Sequence, residues 1–177
     1  MVTFELFPSL EDVDGVKLTD VNNFARFDEF VRLANRYRIM FRDNFVDNRV
    51  VSLESTFEYF GSYRTSPKTK IMYVITKDDE LIGHYGLRFA KDNIVMLDNA
   101  VRFSPAGGRD LFPAIQSRLL GYLRNFWPDS LPSIIVKREN PFSMALHNKF
   151  MPIEFADHFY QDFCLDKEVI FFGYVSK

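Results

Sequence analysis

The apolar and polar positions of residues 95–123 change period once, and the rest of the chain can be read outward from that change. Val95, Leu97, Val101 and Phe103 share one strand parity, while Met96, Asp98 and Ala100 take the other. Leu111, Ile115, Leu119, Tyr122 and Leu123 then recur at three- and four-residue steps, the stripe of a helix packed on a sheet. The switch falls in residues 104–110, which include Ala106-Gly107-Gly108. A strand entering a helix through such a turn leaves the first helical N–H groups unpaired and lets a ligand come close to bare backbone. With the helix dipole added, this is either a cradle for phosphate or pyrophosphate or a plain glycine turn. Neither a Walker A sequence nor the dinucleotide glycine fingerprint is present.

The same patterning divides the remaining chain. Residues 2–7 alternate weakly as an edge strand, and residues 16–18 suggest a second short one. From about Asn22 the spacing of Phe24, Phe27, Phe30, Val31 and Ala34 predicts an amphipathic helix running towards Ile39. Ser52 can cap a helix over residues 53–63. Residues 71–76 and 80–89 form two strand-like runs joined by Lys77-Asp78-Asp79, a tight antiparallel hairpin, and Lys91-Asp92-Asn93 turns the chain into the strand at 95. After the central helix, Trp127-Pro128-Asp129 closes it, residues 133–136 return as a short strand, and Asn140-Pro141 starts another helix with proline in its first turn. Two last strands are expected over 155–165 and 168–174. No repeat or linker divides the chain, so residues 1–177 are expected to form a single domain.

Composition narrows the classes. An apolar content of 47% suffices for a packed core, and 22 Lys plus Arg against 24 Asp plus Glu give no general footprint for nucleic acid. The one cysteine, Cys164, allows no internal disulfide and no cysteine-based zinc site, and no metal is expected. No apolar run is long enough to span a bilayer and no secretory signal is visible, so a cytoplasmic protein is expected. Arg36, Arg38 and Arg42, with Arg32 and Arg49, lie in or after the first helix. They are either a solvated face or a set of guanidinium forks for an anionic substrate. The 20 phenylalanines could cover a homodimer face or a lid as well as a core.

The order of these elements resembles the GCN5-related N-acetyltransferases. Three stretches carry the resemblance: Glu80-Leu-Ile-Gly-His-Tyr-Gly-Leu, residues 95–123, and Val136-Lys-Arg-Glu-Asn-Pro-Phe-Ser-Met-Ala-Leu-His-Asn-Lys-Phe. Within that superfamily the chain looks most similar to bacterial nucleotide-sugar N-acetyltransferases, which in turn resemble the enzymes acetylating ribosomal-protein N-termini. The resemblance implies an α/β (α+β) fold with a mixed, mostly antiparallel sheet, splayed parallel central strands and helices on both faces. It implies acetyl transfer from acetyl-CoA to a primary amine of a small molecule, an amino-sugar nucleotide being one candidate. A protein or peptide N-terminal acetyltransferase and a non-catalytic module on the same scaffold are the alternatives.

Site residues follow from the same matching. Backbone groups of Val101, Arg102 and Phe103 would hold the pantetheine arm, the turn at Gly107, Gly108, Arg109 and Asp110 the pyrophosphate, and Asn140 and Ser143 the CoA arm. Arg36, Arg38 and Arg42 would bind an anionic acceptor. His84 and Asp98 are candidate bases. His147 stands where the family usually carries a tyrosine that protonates the leaving thiolate. The family's glycine loop is kept only at its start, with Phe112 and Pro113 near positions where small residues are common.

Overall fold

The computed structural model describes residues 15–45, 47–66, 69–89, 93–137, 140–148 and 169–173. They form six strands and four helices in the order β1 (Lys17–Asp20), α1 (Phe27–Met40), α2 (Leu53–Thr65), β2 (Lys70–Lys77), β3 (Glu80–Phe89), β4 (Ile94–Arg102), α3 (Leu111–Phe126), β5 (Leu131–Lys137), α4 (Pro141–Asn148) and β6 (Val169–Gly173). The expected strands over 2–7 and 155–165 lie outside the described residues. The sheet runs β1-β2-β3-β4-β5-β6 and every pairing is antiparallel except β4 with β5. Helix α1 begins later than its apolar spacing suggested, at Phe27, while Ser52 caps α2 by accepting the Ser55 N–H at 3.0 Å. Asp78 and Asp79 both have positive φ, the backbone of a two-residue hairpin whose twist matches its strands.

Two apolar clusters sandwich the sheet. On one side α3 places Leu111, Phe112, Ile115, Leu119 and Leu123 against Tyr73, Ile75, Tyr85, Leu87, Val95 and Leu97. On the other, Phe30, Val31 and Ala34 of α1 meet Phe60 and Tyr63 of α2 over Met72 and Val74. Buried Asn35 ties the chain between α1 and α2, its amide donating to Val51 O at 3.0 Å and Thr56 Oγ1 at 2.8 Å.

Strand β4 departs from simple alternation. Gly86 pairs with Asp98 and His84 with Val101, so two steps on β3 face three on β4. The extra residue is a β-bulge, and Asn99 within it has φ 50°. The insertion exchanges faces: Val95, Leu97 and Ala100 pack on the α3 side, whereas Phe103 packs on the α1/α2 side. The single parity expected for Val95, Leu97, Val101 and Phe103 therefore fails, because one added residue inverts every side chain beyond it. Opposite the bulge β3 carries Gly83 and Gly86. A Cβ on Gly83 would lie 2.2 Å from the Val101 carbonyl oxygen, and one on Gly86 2.9 Å from that of Asp98.

The bulge also frames His84, which is 3% exposed. Its ring sits 5.6, 5.3 and 5.4 Å from the rings of Phe30, Phe60 and Phe103, and its Nδ1 has no hydrogen-bond partner among the described residues. Burial pushes its pKa down to about 3, a backbone contact with Asn99 acting weakly the other way.

Two predictions follow from this strand pair. Gly83→Ala should destabilise the fold by about 2–4 kcal/mol, since the clash is with backbone that cannot swing aside; denaturant unfolding measures it. The second concerns acid. An unfolded His84 takes up a proton near its ordinary value of 6.5 and the folded one only near 3. Its neutral burial thus favours the fold fully above pH 6.5 and loses that effect as pH falls towards 3, at about 1.4 kcal/mol per pH unit. Stability measured from pH 6.5 to 4.5 should fall less steeply in His84→Leu than in the unaltered chain.

Candidate active site

The parallel pairing of β4 with β5 is short. It runs Ile94↔Leu131, Val95↔Pro132 and Met96↔Ser133, and among the described residues it goes no further. Beyond it β5 continues to Lys137 paired on its far side with β6, and β4 continues to Arg102 paired with β3. The two strands therefore diverge. Among the described residues nothing pairs with this side of residues 97–102, a strand edge roughly 20 Å long.

The hydrogen bonds show which backbone groups line this opening. Phe103 N–H donates to Ile82 O at 2.6 Å, and Ser104 N–H reaches the same carbonyl at 3.2 Å. Because Gly83 faces Arg102 in the register, that bond makes Gly83 and Arg102 a non-hydrogen-bonded pair. The N–H and C=O of Arg102 then point towards β5, whereas those of Val101 and Phe103 point to β3. Of the three residues expected to hold a pantetheine arm, Arg102 alone turns its backbone to the gap.

At the end of β4 lies the glycine turn. Gly107 and Gly108 have φ 84° and 76°, where side chains other than glycine are strained. A Cβ on Gly107 would also sit 2.6 Å from Leu111 Cδ2, while Gly108 faces open space. Gly108 N–H reaches Pro105 O at 3.3 Å, but the N–H groups of Gly107, Arg109, Asp110, Leu111 and Phe112 have no acceptor among the described residues. Arg109 and Asp110 are exposed, and Asp110 occupies the N-cap position of α3 without capping it. Phe112 does not obstruct the turn. Its ring points inward, 7% exposed, and packs 6.2 Å from Tyr85. Tyr85 in turn donates to the buried Gln116 Oε1 at 3.0 Å, fixing α3 to β3.

On the α2 side, immediately before the bulge, Asp98 stands in a cage of donors. Its Oδ2 accepts from Tyr63 OH at 3.0 Å and Tyr59 OH at 3.4 Å, and Arg88 Nε lies 3.5 Å away. Its Oδ1 accepts from Asn99 Nδ2 at 2.8 Å, and the same amide donates to Tyr59 OH. The two phenol oxygens are 2.9 Å apart. Burial first, and then the Asp98 charge, push both tyrosines above their ordinary value, so both remain donors at neutral pH. Lys70 approaches the Tyr63 ring at 4.9 Å, and burial, then Arg88, lower its pKa. Tyr59 and Tyr63 were not anticipated. Their i, i+4 spacing on one helix was visible, but nothing local connects them to residue 98.

The remaining candidates are dispersed. Asn140 Oδ1 caps α4 by accepting the Ser143 N–H at 3.0 Å, and its Nδ2 donates to Asn44 O at 3.0 Å, so this side chain ties α4 to the Arg42–Asn44 turn. His147 is 1% exposed and burial pushes its pKa down to about 4. The arginines do not converge. Arg36 is exposed, Arg38 pairs with Asp47 at 3.3 Å and lies over Phe45, and Arg42 is 3.9 Å from Asp43. Two residues apart on a helix, Arg36 and Arg38 face different directions.

No family model and no curated protein matches the sequence. Solved structures do match its architecture. The microcin C7 self-immunity acetyltransferase MccE, in complex with acetyl-CoA and AMP, superposes with a TM-score of 0.72 at 11% identity, over 97% of this chain and 98% of that one. An acetyltransferase from Salmonella typhimurium that modifies the N-terminal serine of ribosomal protein L7/L12 gives 0.69 at 13% identity, over 93% and 97%. The Campylobacter jejuni N-acetyltransferase PseH with acetyl coenzyme A gives 0.60 at 10% identity, over 92% and 99%. Likeness at this level of identity is a likeness of fold, and the fold of this chain is that of the GCN5-related N-acetyltransferases.

Proposed function

We propose that the chain transfers the acetyl group of acetyl-CoA to a primary amine. One observation carries this reading: the edge of β4 opens after Met96 and leads to a turn in which the amides of Gly107, Arg109 and Asp110 have no acceptor among the described residues. Such an edge suits an extended, amide-bearing arm, and the turn suits the diphosphate that follows it. Arg102 N–H and C=O bond the arm, and the free amides of Gly107, Arg109 and Asp110, with the dipole of α3, receive the diphosphate, while the Gly108 N–H is engaged with Pro105 O. The Arg109 side chain adds charge at the rim, which Asp110 offsets.

In the transfer, the amine nitrogen attacks the thioester carbon, the C–S bond breaks, and a proton passes in net from amine to thiolate. Asp98 is the base we favour. It is 24% exposed at its side chain, anchored by Tyr63, Tyr59 and Asn99, and stands on β4 beside the opening. His84 suits the role less well, because charging it within three aromatic rings is opposed by burial. His147, held as uncharged imidazole at neutral pH, is a weak proton donor, so the acid expected at that position is not part of the proposal.

A small-molecule amine is the acceptor class we favour, with amino-sugar nucleotides included because MccE holds AMP together with acetyl-CoA. Among the described residues no helix is long and apolar enough to cross a membrane, and a cytoplasmic location and a single domain complete the proposal. The scattered arginines give no built anion site, so their contribution to the acceptor is limited to Arg36, which like Arg32 is exposed on α1 without an ion pair among the described residues.

Acetyl-CoA at 100 times its dissociation constant should stabilise the native chain by about 2.7 kcal/mol; absence of any thermal shift at saturation would refute the transferase reading. Given an active preparation, Asp98→Asn should lower kcat by about 10²–10⁴-fold while leaving acetyl-CoA affinity in place. An unchanged kcat would remove Asp98 as the base.

A further inference from the structure

We infer that Arg102 is the positioning residue of the diphosphate turn, acting through the carbonyls its guanidinium holds rather than through its charge. The inference rests on the acyltransferase reading above. Arg102 Nε donates to Ser104 O at 2.7 Å, and Nη2 donates to Pro105 O and to Ala106 O, the latter at 3.3 Å. Three consecutive main-chain carbonyls thus converge on one planar fork. A strand cannot present its carbonyls in this way, because successive ones alternate in direction. The fork therefore holds the chain in a path that ends β4 and begins the turn.

The planar trans peptide carries this constraint to the other side of the turn. In each peptide unit the C=O of one residue and the N–H of the next point in opposite directions. Fixing Pro105 O on Arg102 directs the Ala106 N–H away, where it meets Ser104 Oγ at 3.2 Å. Fixing Ala106 O directs the Gly107 N–H away in the same sense, and that N–H has no acceptor among the described residues. Proline at 105 supplies no N–H that would compete. Gly107 and Gly108 then turn the chain at positive φ into α3, whose first amides are also unpaired.

Among the described residues the side chain that organises the turn is half-buried and pairs with no acid. Among the described residues its hydrogen bonds go to main-chain oxygens alone. Lysine keeps the charge but cannot span three carbonyls with a rigid fork. This difference separates positioning from simple electrostatic attraction.

The test compares Arg102→Lys and Arg102→Gln with the unaltered chain, using acetyl-CoA and S-acetylpantetheine, a donor without the diphosphate. Both variants should raise KM for acetyl-CoA about tenfold more than they raise KM for S-acetylpantetheine. Restoration of KM by lysine would show that charge alone suffices, and equal losses with both donors would show general damage to the fold. Either result overturns the inference. Failure of the unaltered chain to bind CoA at all would instead overturn the acyltransferase reading, so the two failures are distinguishable.

Discussion

The extra residue in β4 is the constraint from which the rest of the site follows. A strand that pairs on both sides must keep its backbone groups in step with two neighbours, and among the described residues β4 does so only at Val95 and Met96. At Asn99 the chain enters the left-handed region, the strand bends, and its twist increases. It can then remain in register with β3 by adding one residue, but it parts from β5. The opening between β4 and β5 is thus linked to a local backbone choice at one position. Glycines on β3 at 83 and 86 make that choice sterically possible, since the carbonyls of Val101 and Asp98 press into the space their side chains would fill.

The bulge also separates two groups that look alike in the sequence. His84 and Asp98 each interrupt an apolar strand and each is a plausible base. In the folded chain they meet opposite surroundings. His84 is enclosed by aromatic rings that solvate no charge, and it stays neutral. Asp98 lies among hydroxyl, amide and guanidinium donors brought by α2, β3 and its own neighbour in the chain. Position relative to the bulge, rather than residue type, gives the two groups their opposite surroundings.

Much of this architecture was legible from periodicity. The hairpin at Asp78-Asp79, the Ser52 cap, the proline start of α4 and the switch from strand to helix at the glycines each depend on local chemistry, and each appears where the residues place it. What failed was nonlocal. The parity of 95–103 looks continuous in the sequence because an inserted residue leaves no mark in an apolar pattern unless the partner strand is known. The bond from the Asn140 amide to Asn44 O, 96 positions earlier in the chain, is likewise invisible to local pattern. Arginines close in sequence dispersed because a helix rotates neighbouring positions apart and because Arg38 found Asp47.

In the proposed anion site the charge balance leaves backbone geometry to carry much of the binding. The whole chain has a formal charge of −2, and at the mouth of the turn the exposed Arg109 is followed directly by Asp110. An exposed carboxylate at the helix start opposes a diphosphate, so attraction by side chains there is close to cancelled. What remains is the orientation of peptide N–H groups, whose dipoles act only at short range and only when aimed. Orientation is a property of the main chain, and the main chain is held from behind by Arg102 through Ser104, Pro105 and Ala106. In that proposal a cation on the far side of the turn contributes more by fixing peptide planes than it would by facing the diphosphate, where the neighbouring carboxylate would offset it.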